Sequence, residues 1–169
     1  MSERLMGGVR PVSFGERLAA SGSFSELFRD GMKLVEDTAA YLDGPGRIES
    51  KELVRSVSAV YATESMRLTT RLMQLASWLL LHRAVNEGEM SVAQARKERN
   101  KVKLGDETHI EILSDALPEQ LRTLIDRSKT LQKRIMRLDA TIHAPIPSTP
   151  VGNPFESQLV ILRAAFERP

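Results

Sequence analysis

Few residues in this chain are suited to chemistry. The densest constellation is Asp106, Glu107, His109 and Glu111, four oxygen or nitrogen donors within six positions. Divalent cations use such groups, but a built site also needs fixed geometry and outer partners. The spacing matches no metal-site pattern and favours a solvated acidic loop. The three histidines are His82, His109 and His143, and no two of them stand at helical ligand spacing. His82, close to Trp78, reads as a partner for a helix C-terminal dipole. His143 is placed to bond the last carbonyls of a helix. There is no cysteine, hence no thiol nucleophile, disulfide or thiolate-bound metal. Neither a glycine-rich phosphate loop nor a Gly-x-Ser-x-Gly elbow occurs. The expectation is a protein without catalytic residues, cofactor or metal.

The second feature is charge. Arg96, Lys97, Arg99, Lys101 and Lys103 crowd into eight positions with only Glu98 opposing them, and residues 104–120 then carry five acids and no Lys or Arg. A basic helix beside an acidic stretch either forms local ion pairs in solvent or docks a charged protein partner. Nucleic acid is the weakest of the readings. The net charge is only +2, aromatic residues do not interleave with the run, and no DNA-reading motif surrounds it.

These residues need elements to position them, and 169 residues suffice for one domain with a real core. Phe24, Leu27, Phe28, Met32, Val35, Ala39 and Leu42 recur at three- and four-residue spacing, which predicts a helix over 24–42. Ser23 and Glu26 fit a capping box before it, and Asp43-Gly-Pro-Gly46 stops it. A second helix is expected from about Ser50 to Asn86, roughly 55 Å long. Its stretch 72–81 is apolar on more than one side and needs cover on two faces. Ser91 and Gln94 fit a capping box for a short helix reaching Lys103. The clearest pattern is Leu117, Leu121, Leu124, Ser128, Leu131, Ile135, Leu138 and Ile142, a heptad seam with Pro118 in the first turn. That seam serves either an intramolecular bundle or a second chain.

The ends differ in character. Residues 1–22, with Gly7, Gly8, Pro11, Gly15 and Gly22, read as an irregular lead-in before a helical domain at 23–143. Residues 144–154 hold four prolines and read as an extended linker. The tail at 155–169 is apolar over most of 159–166. It either folds back over the domain or acts as a tethered peptide for a partner's groove. No apolar run approaches the ~20 residues of a membrane span, and no signal-peptide region opens the chain. A cytoplasmic protein without membrane insertion is expected.

Three stretches carry a family likeness: Ser13-Phe-Gly-Glu-Arg-Leu18, Tyr61-Ala-Thr-Glu-Ser-Met-Arg-Leu-Thr-Thr-Arg-Leu-Met73 and Asn86-Glu-Gly-Glu-Met-Ser-Val-Ala-Gln-Ala-Arg96. With the proline linker and tail, they resemble the RcdA family, regulators of CtrA degradation. The resemblance implies an all-α, antiparallel three-helix bundle with one very long central helix, a short connecting helix and an extended C-terminal tail. It also implies a homodimer, recruited to the cell pole. The family role is that of an adaptor, which does no chemistry. It brings transcriptional-regulator cargo to the ClpXP protease complex, primed by a response regulator, and further adaptors dock on it. No residue-level binding motif transfers with the likeness.

The residues therefore nominate the contacts. Arg96, Lys97, Arg99, Lys101 and Lys103 are the expected charged docking patch. Val160, Ile161, Leu162, Arg163 and Phe166 are the expected protease-side anchor. Leu117, Leu121, Leu124, Leu131, Ile135 and Leu138 are the expected dimer or bundle seam. The rival reading is a coiled-coil scaffold or division organiser built on that seam.

Overall fold

A computed structural model describes residues 22–102, 104 and 114–143. The expectations for the lead-in, for Lys103, for the 105–113 acidic stretch and for the linker and tail lie outside the described residues. Among those residues the chain forms five α-helices, one 3-10 turn and no strand. They are α1 (Gly22–Asp43), α2 (Pro45–Glu52), α3 (Arg55–Asn86), α4 (Val92–Arg99) and α5 (Glu119–Ile142), with the 3-10 turn at Ser114–Ala116 before α5.

Helices α1, α3 and α5 pack on one another as a three-helix bundle. Helix α1 runs antiparallel to both others. Its Phe24 meets Trp78 late in α3, while its Asp37 and Asp30 pair with Arg127 and Arg134 in rising order along α5. Helices α3 and α5 run parallel, as the Arg71–Ser128 and Trp78–Asp139 contacts show. Helix α5 therefore starts at the end of the bundle where α3 starts.

The expected apolar spacing supplies the core. Phe24, Leu27, Leu34 and Tyr41 from α1 meet Leu68, Leu72, Leu75, Trp78 and Leu79 from α3 and Leu121, Leu124, Leu131 and Ile135 from α5. Gly31 lets α1 and α3 approach closely, since a Cβ there would stand 2.4 Å from a Leu79 methyl.

Three boundaries differ from the sequence reading. First, Ser23 and Glu26 lie inside α1, which already begins at Gly22. Second, the expected helix from Ser50 is two helices. Leu53 and Val54 are extended, with ψ of 141° and 150°. The cause is tertiary: the Tyr61 hydroxyl donates to the Gly46 carbonyl at 3.0 Å and the Tyr41 hydroxyl to Glu49 at 2.7 Å. These bonds hold α2 against Tyr41 of α1 and Tyr61 of α3. The long helix keeps 32 residues, about 48 Å. Third, Pro118 is the N-cap of α5, one position before its first turn.

Helix ends follow local chemistry. At the C-terminus of α3, Gly88 has φ of 75°. Glu89 N–H bonds the Ala84 carbonyl and Gly88 N–H the Val85 carbonyl. That is a Schellman closure, which favours glycine at the left-handed position. The Ser91–Gln94 capping box is complete at α4. Helix α4 ends at Arg99, four positions short of Lys103.

Candidate functional site

Two features stand out from the packed core: a polar cluster at the far end of the bundle, and the outward face of α3.

The cluster is built from two i,i+4 pairs on neighbouring helices. Trp78 and His82 come from α3, and Asp139 and His143 from the last turn of α5. The Trp78 indole and His82 imidazole lie with centroids 4.1 Å apart. Trp78 donates through Nε1 to the Asp139 carboxylate at 2.8 Å. His143 Nδ1 lies 3.0 Å from the Asp139 carbonyl oxygen and 3.2 Å from its carboxylate. The fifth member is Arg99 of α4, whose guanidinium engages both Asp139 oxygens.

The electrostatics follow from burial and this pairing. Burial alone would push the Asp139 carboxyl up. The hydrogen bonds from Arg99 and Trp78, with the charges of Arg99 and His143, outweigh it and hold the group below the usual carboxylate range. His82 is only 4% exposed. Burial, helped by His143 and Arg99 and opposed by Asp139, pushes its imidazole down to about 4. It is therefore neutral near pH 7, and its buried Nε2 has no hydrogen-bond partner. One ligand atom from each of His82, Asp139 and His143 lies within 4.8 Å of the others. Two imidazoles and a carboxylate form a donor set able to hold a transition-metal ion.

Neither His82 nor Asp139 was marked in this role by the sequence. His82 is a buried neutral ring, not a partner of the helix dipole. Asp139 follows Leu138, the position the heptad pattern assigned to the core. A straight helix of 3.6 residues per turn drifts from a 3.5 repeat. The buried face accordingly passes through Ile135 to Asp139 and leaves Leu138 half-buried. The signal in the sequence was the pair of aromatic-or-acid/histidine spacings of four, 78–82 and 139–143. His143 bonds its own helix, as its position suggested.

The other nominated residues are distributed as follows. Leu117, Leu121, Leu124, Leu131 and Ile135 are buried in this chain's own core, with Leu138 packed at its edge. Ser128 is fully buried on the same face, where its hydroxyl accepts from Arg71 at 2.9 Å and donates to the Ile125 carbonyl at 2.6 Å. Of the basic run, Arg99 turns inward to Asp139. Lys101 pairs with Glu98 at 2.7 Å in solvent. Arg96 and Lys97 are exposed on α4.

The outward face of α3 is the surface that sequence reading located only as an excess of apolar residues. Every exposed position from Ser56 to Leu80 is uncharged: Ser56, Ala59, Ala62, Thr63, Met66, Thr69, Thr70, Met73, Ser77 and Leu80. Met66, Met73 and Leu80 repeat at seven-residue spacing and are 71%, 68% and 53% exposed. The Thr63, Thr69 and Ser77 hydroxyls bond carbonyls one turn back in the helix. Their hydrogen bonds are thus satisfied within α3, which lowers the cost of covering them. Beside this stripe, Val35, Ala39 and Leu42 of α1 and Leu72, Met73 and Ala76 of α3 line a groove of about 280 Å³. No helix among the described residues is long and apolar enough to cross a membrane.

The fold and its surfaces define an all-helical bundle protein whose buried polar groups tie helices together and whose longest helix offers an uncharged face. Residues 15–166 match the family described as protein of unknown function DUF1465. Among solved structures, RcdA from Caulobacter crescentus CB15 is 48% identical with a TM-score of 0.63. The similarity covers 74% of this chain and 94% of that one. No curated protein matches the chain significantly. The chain belongs to the RcdA family.

Proposed function

We propose that this protein is a non-enzymatic adaptor in regulated proteolysis, which delivers cell-cycle regulators to the ClpXP protease complex. The observation that carries the reading is the 48% identity to RcdA over nearly the whole of that chain. The mechanism is effective concentration: cargo held on one surface and the primed protease on another turns capture into an intramolecular event.

The uncharged α3 face supports a homodimer. A solvated helix of this length normally carries charges on its exposed side. Small residues at Ala59 and Ala62, with Met66, Met73 and Leu80 at heptad spacing, allow two copies of α3 to pack closely. The heptad pattern on α5 is already occupied within the chain, so α3 is the dimer helix of this reading. Arg96 and Lys97 on α4, with Lys101 just beyond its end, form the docking patch for charged partners. Val160, Ile161, Leu162, Arg163 and Phe166, apolar but for Arg163, form the protease-side anchor behind the proline-rich stretch 144–154.

The deciding experiment is a reconstituted degradation assay with ClpXP, its response-regulator primer and candidate transcriptional-regulator cargo. Adding this protein is expected to accelerate cargo loss. Unchanged cargo half-lives across the panel overturn the proposal.

A further inference from the structure

We infer that His82, Asp139 and His143 form a binding site for one zinc-like divalent transition-metal ion, and that Arg99 is the resident cation which the metal displaces. Nothing in the adaptor reading requires such a site. The inference starts from the one orphaned histidine nitrogen of the cluster. His82 Nε2 is buried and lacks a hydrogen-bond partner, an arrangement that native interiors avoid unless something else uses the group. Within reach are a second imidazole and an ionised carboxylate, with ligand atoms no more than 4.8 Å apart.

The donor set selects the class of ion. Calcium and magnesium prefer oxygen ligands throughout, whereas two nitrogens and one oxygen suit zinc and its first-row neighbours. Three protein ligands leave a fourth position for water. Bonds of about 2.0–2.2 Å require the ligand atoms to close in. His143 can supply that movement by giving up its contact with the Asp139 carbonyl, because it caps the last turn of α5 and is only partly buried. The Trp78 N–H at 2.8 Å orients the carboxylate from outside the ligand set.

Arg99 is the competitor. Its guanidinium covers both Asp139 oxygens, yet its side chain is 35% exposed and free to withdraw into solvent. A doubly charged ion in its place keeps the carboxylate neutralised. Metal binding then releases α4, with Arg96 and Lys97, from its tie to α5.

Trp78 is the single tryptophan of the chain, so the site carries its own reporter. Co²⁺ is titrated into the tag-free, chelator-treated full chain while tryptophan fluorescence is followed. Saturable quenching at one ion per chain, reversed by Zn²⁺, is expected. His143→Gln should weaken Co²⁺ at least about tenfold to a hundredfold. Arg99→Met should tighten it about tenfold, and His109→Gln should leave it unchanged. His143 and Arg99 are both only partly buried, and thermal melts of each variant serve as the control for folding. No quenching at stoichiometric Co²⁺, or quenching that survives His143→Gln or disappears in His109→Gln, overturns the inference. So does weaker binding by Arg99→Met.

Discussion

The indole of Trp78 donates to the carboxylate of Asp139 at 2.8 Å, across 61 positions of sequence. This bond joins the two parallel helices at the end where His82 is buried, and it makes that end sensitive to acid. Unfolded His82 takes a proton below its ordinary 6.5, whereas in the folded chain it stays neutral to about 4. Its contribution is therefore complete above pH 6.5 and is lost as the pH falls toward 4. The size is roughly 3 kcal/mol. The depressed Asp139 carboxyl adds a further loss, below its ordinary 3.8, as the pH falls through its lower folded value. Urea melts with chelator present should show the first slope, and His82→Phe should flatten it. A wild-type chain equally stable at pH 7 and pH 4 contradicts this account.

Ser128→Ala removes one partner of a buried guanidinium. Arg71 is 6% exposed and Ser128 fully buried, so water cannot replace the lost bond. Hydrogen bonds to charged groups contribute about 1.5–3 kcal/mol. The denaturation midpoint should fall accordingly with an unaltered slope against denaturant. An unchanged midpoint means the hydroxyl is dispensable.

Gly46→Ala should be costly although its backbone is not left-handed. A Cβ there would stand 2.7 Å from the Tyr61 hydroxyl and 2.8 Å from the Tyr41 ring. Both tyrosines are buried and hydrogen-bonded to α2, so neither yields easily. About 1–3 kcal/mol should be lost in a thermal or chemical melt. A neutral Gly46→Ala would show that α2 lifts away at little cost.

Met73→Glu tests the α3 face. A charge at the centre of a dimer seam opposes association, while an exposed position tolerates it within about 0.5 kcal/mol of monomer stability. Sedimentation should show a dimer for the native chain and a monomer for the variant, with a helical spectrum retained. A native monomer, or an undisturbed dimer in Met73→Glu, removes the basis for this interface.

The proposed partner contacts divide between the tail and the basic run on and after α4. Deleting 155–169 should leave the helical melt intact and abolish stimulated degradation. Reversing charge at Arg96 and Lys97 should weaken partner binding, most strongly at low salt. Full delivery by the truncated chain rejects the tail as an anchor. Salt-independent binding in the reversed variant does the same for the patch.

Local patterns of apolar spacing, turn residues and caps determined the body of the three bundle helices, the stop of the first after Asp43, the Ser91 capping box and the Gly88 end of the long helix. Each of these is decided within a few neighbouring residues, by side-chain periodicity, by a cap or by a left-handed turn. The break at Leu53–Val54 was not legible, because no residue there refuses a helix; the tyrosines at 41 and 61 pull α2 into place from other helices. The same holds for the polar cluster. Arg99, listened to locally, belongs to a basic run, and Asp139 to a helix surface. Only the packing of α3, α4 and α5 brings both against Trp78, His82 and His143, and assigns the heptad leucines to this chain's own core while leaving Met66, Met73 and Leu80 outside. Which face of a helix is covered depends on what packs against it, and that is a property of the assembled bundle.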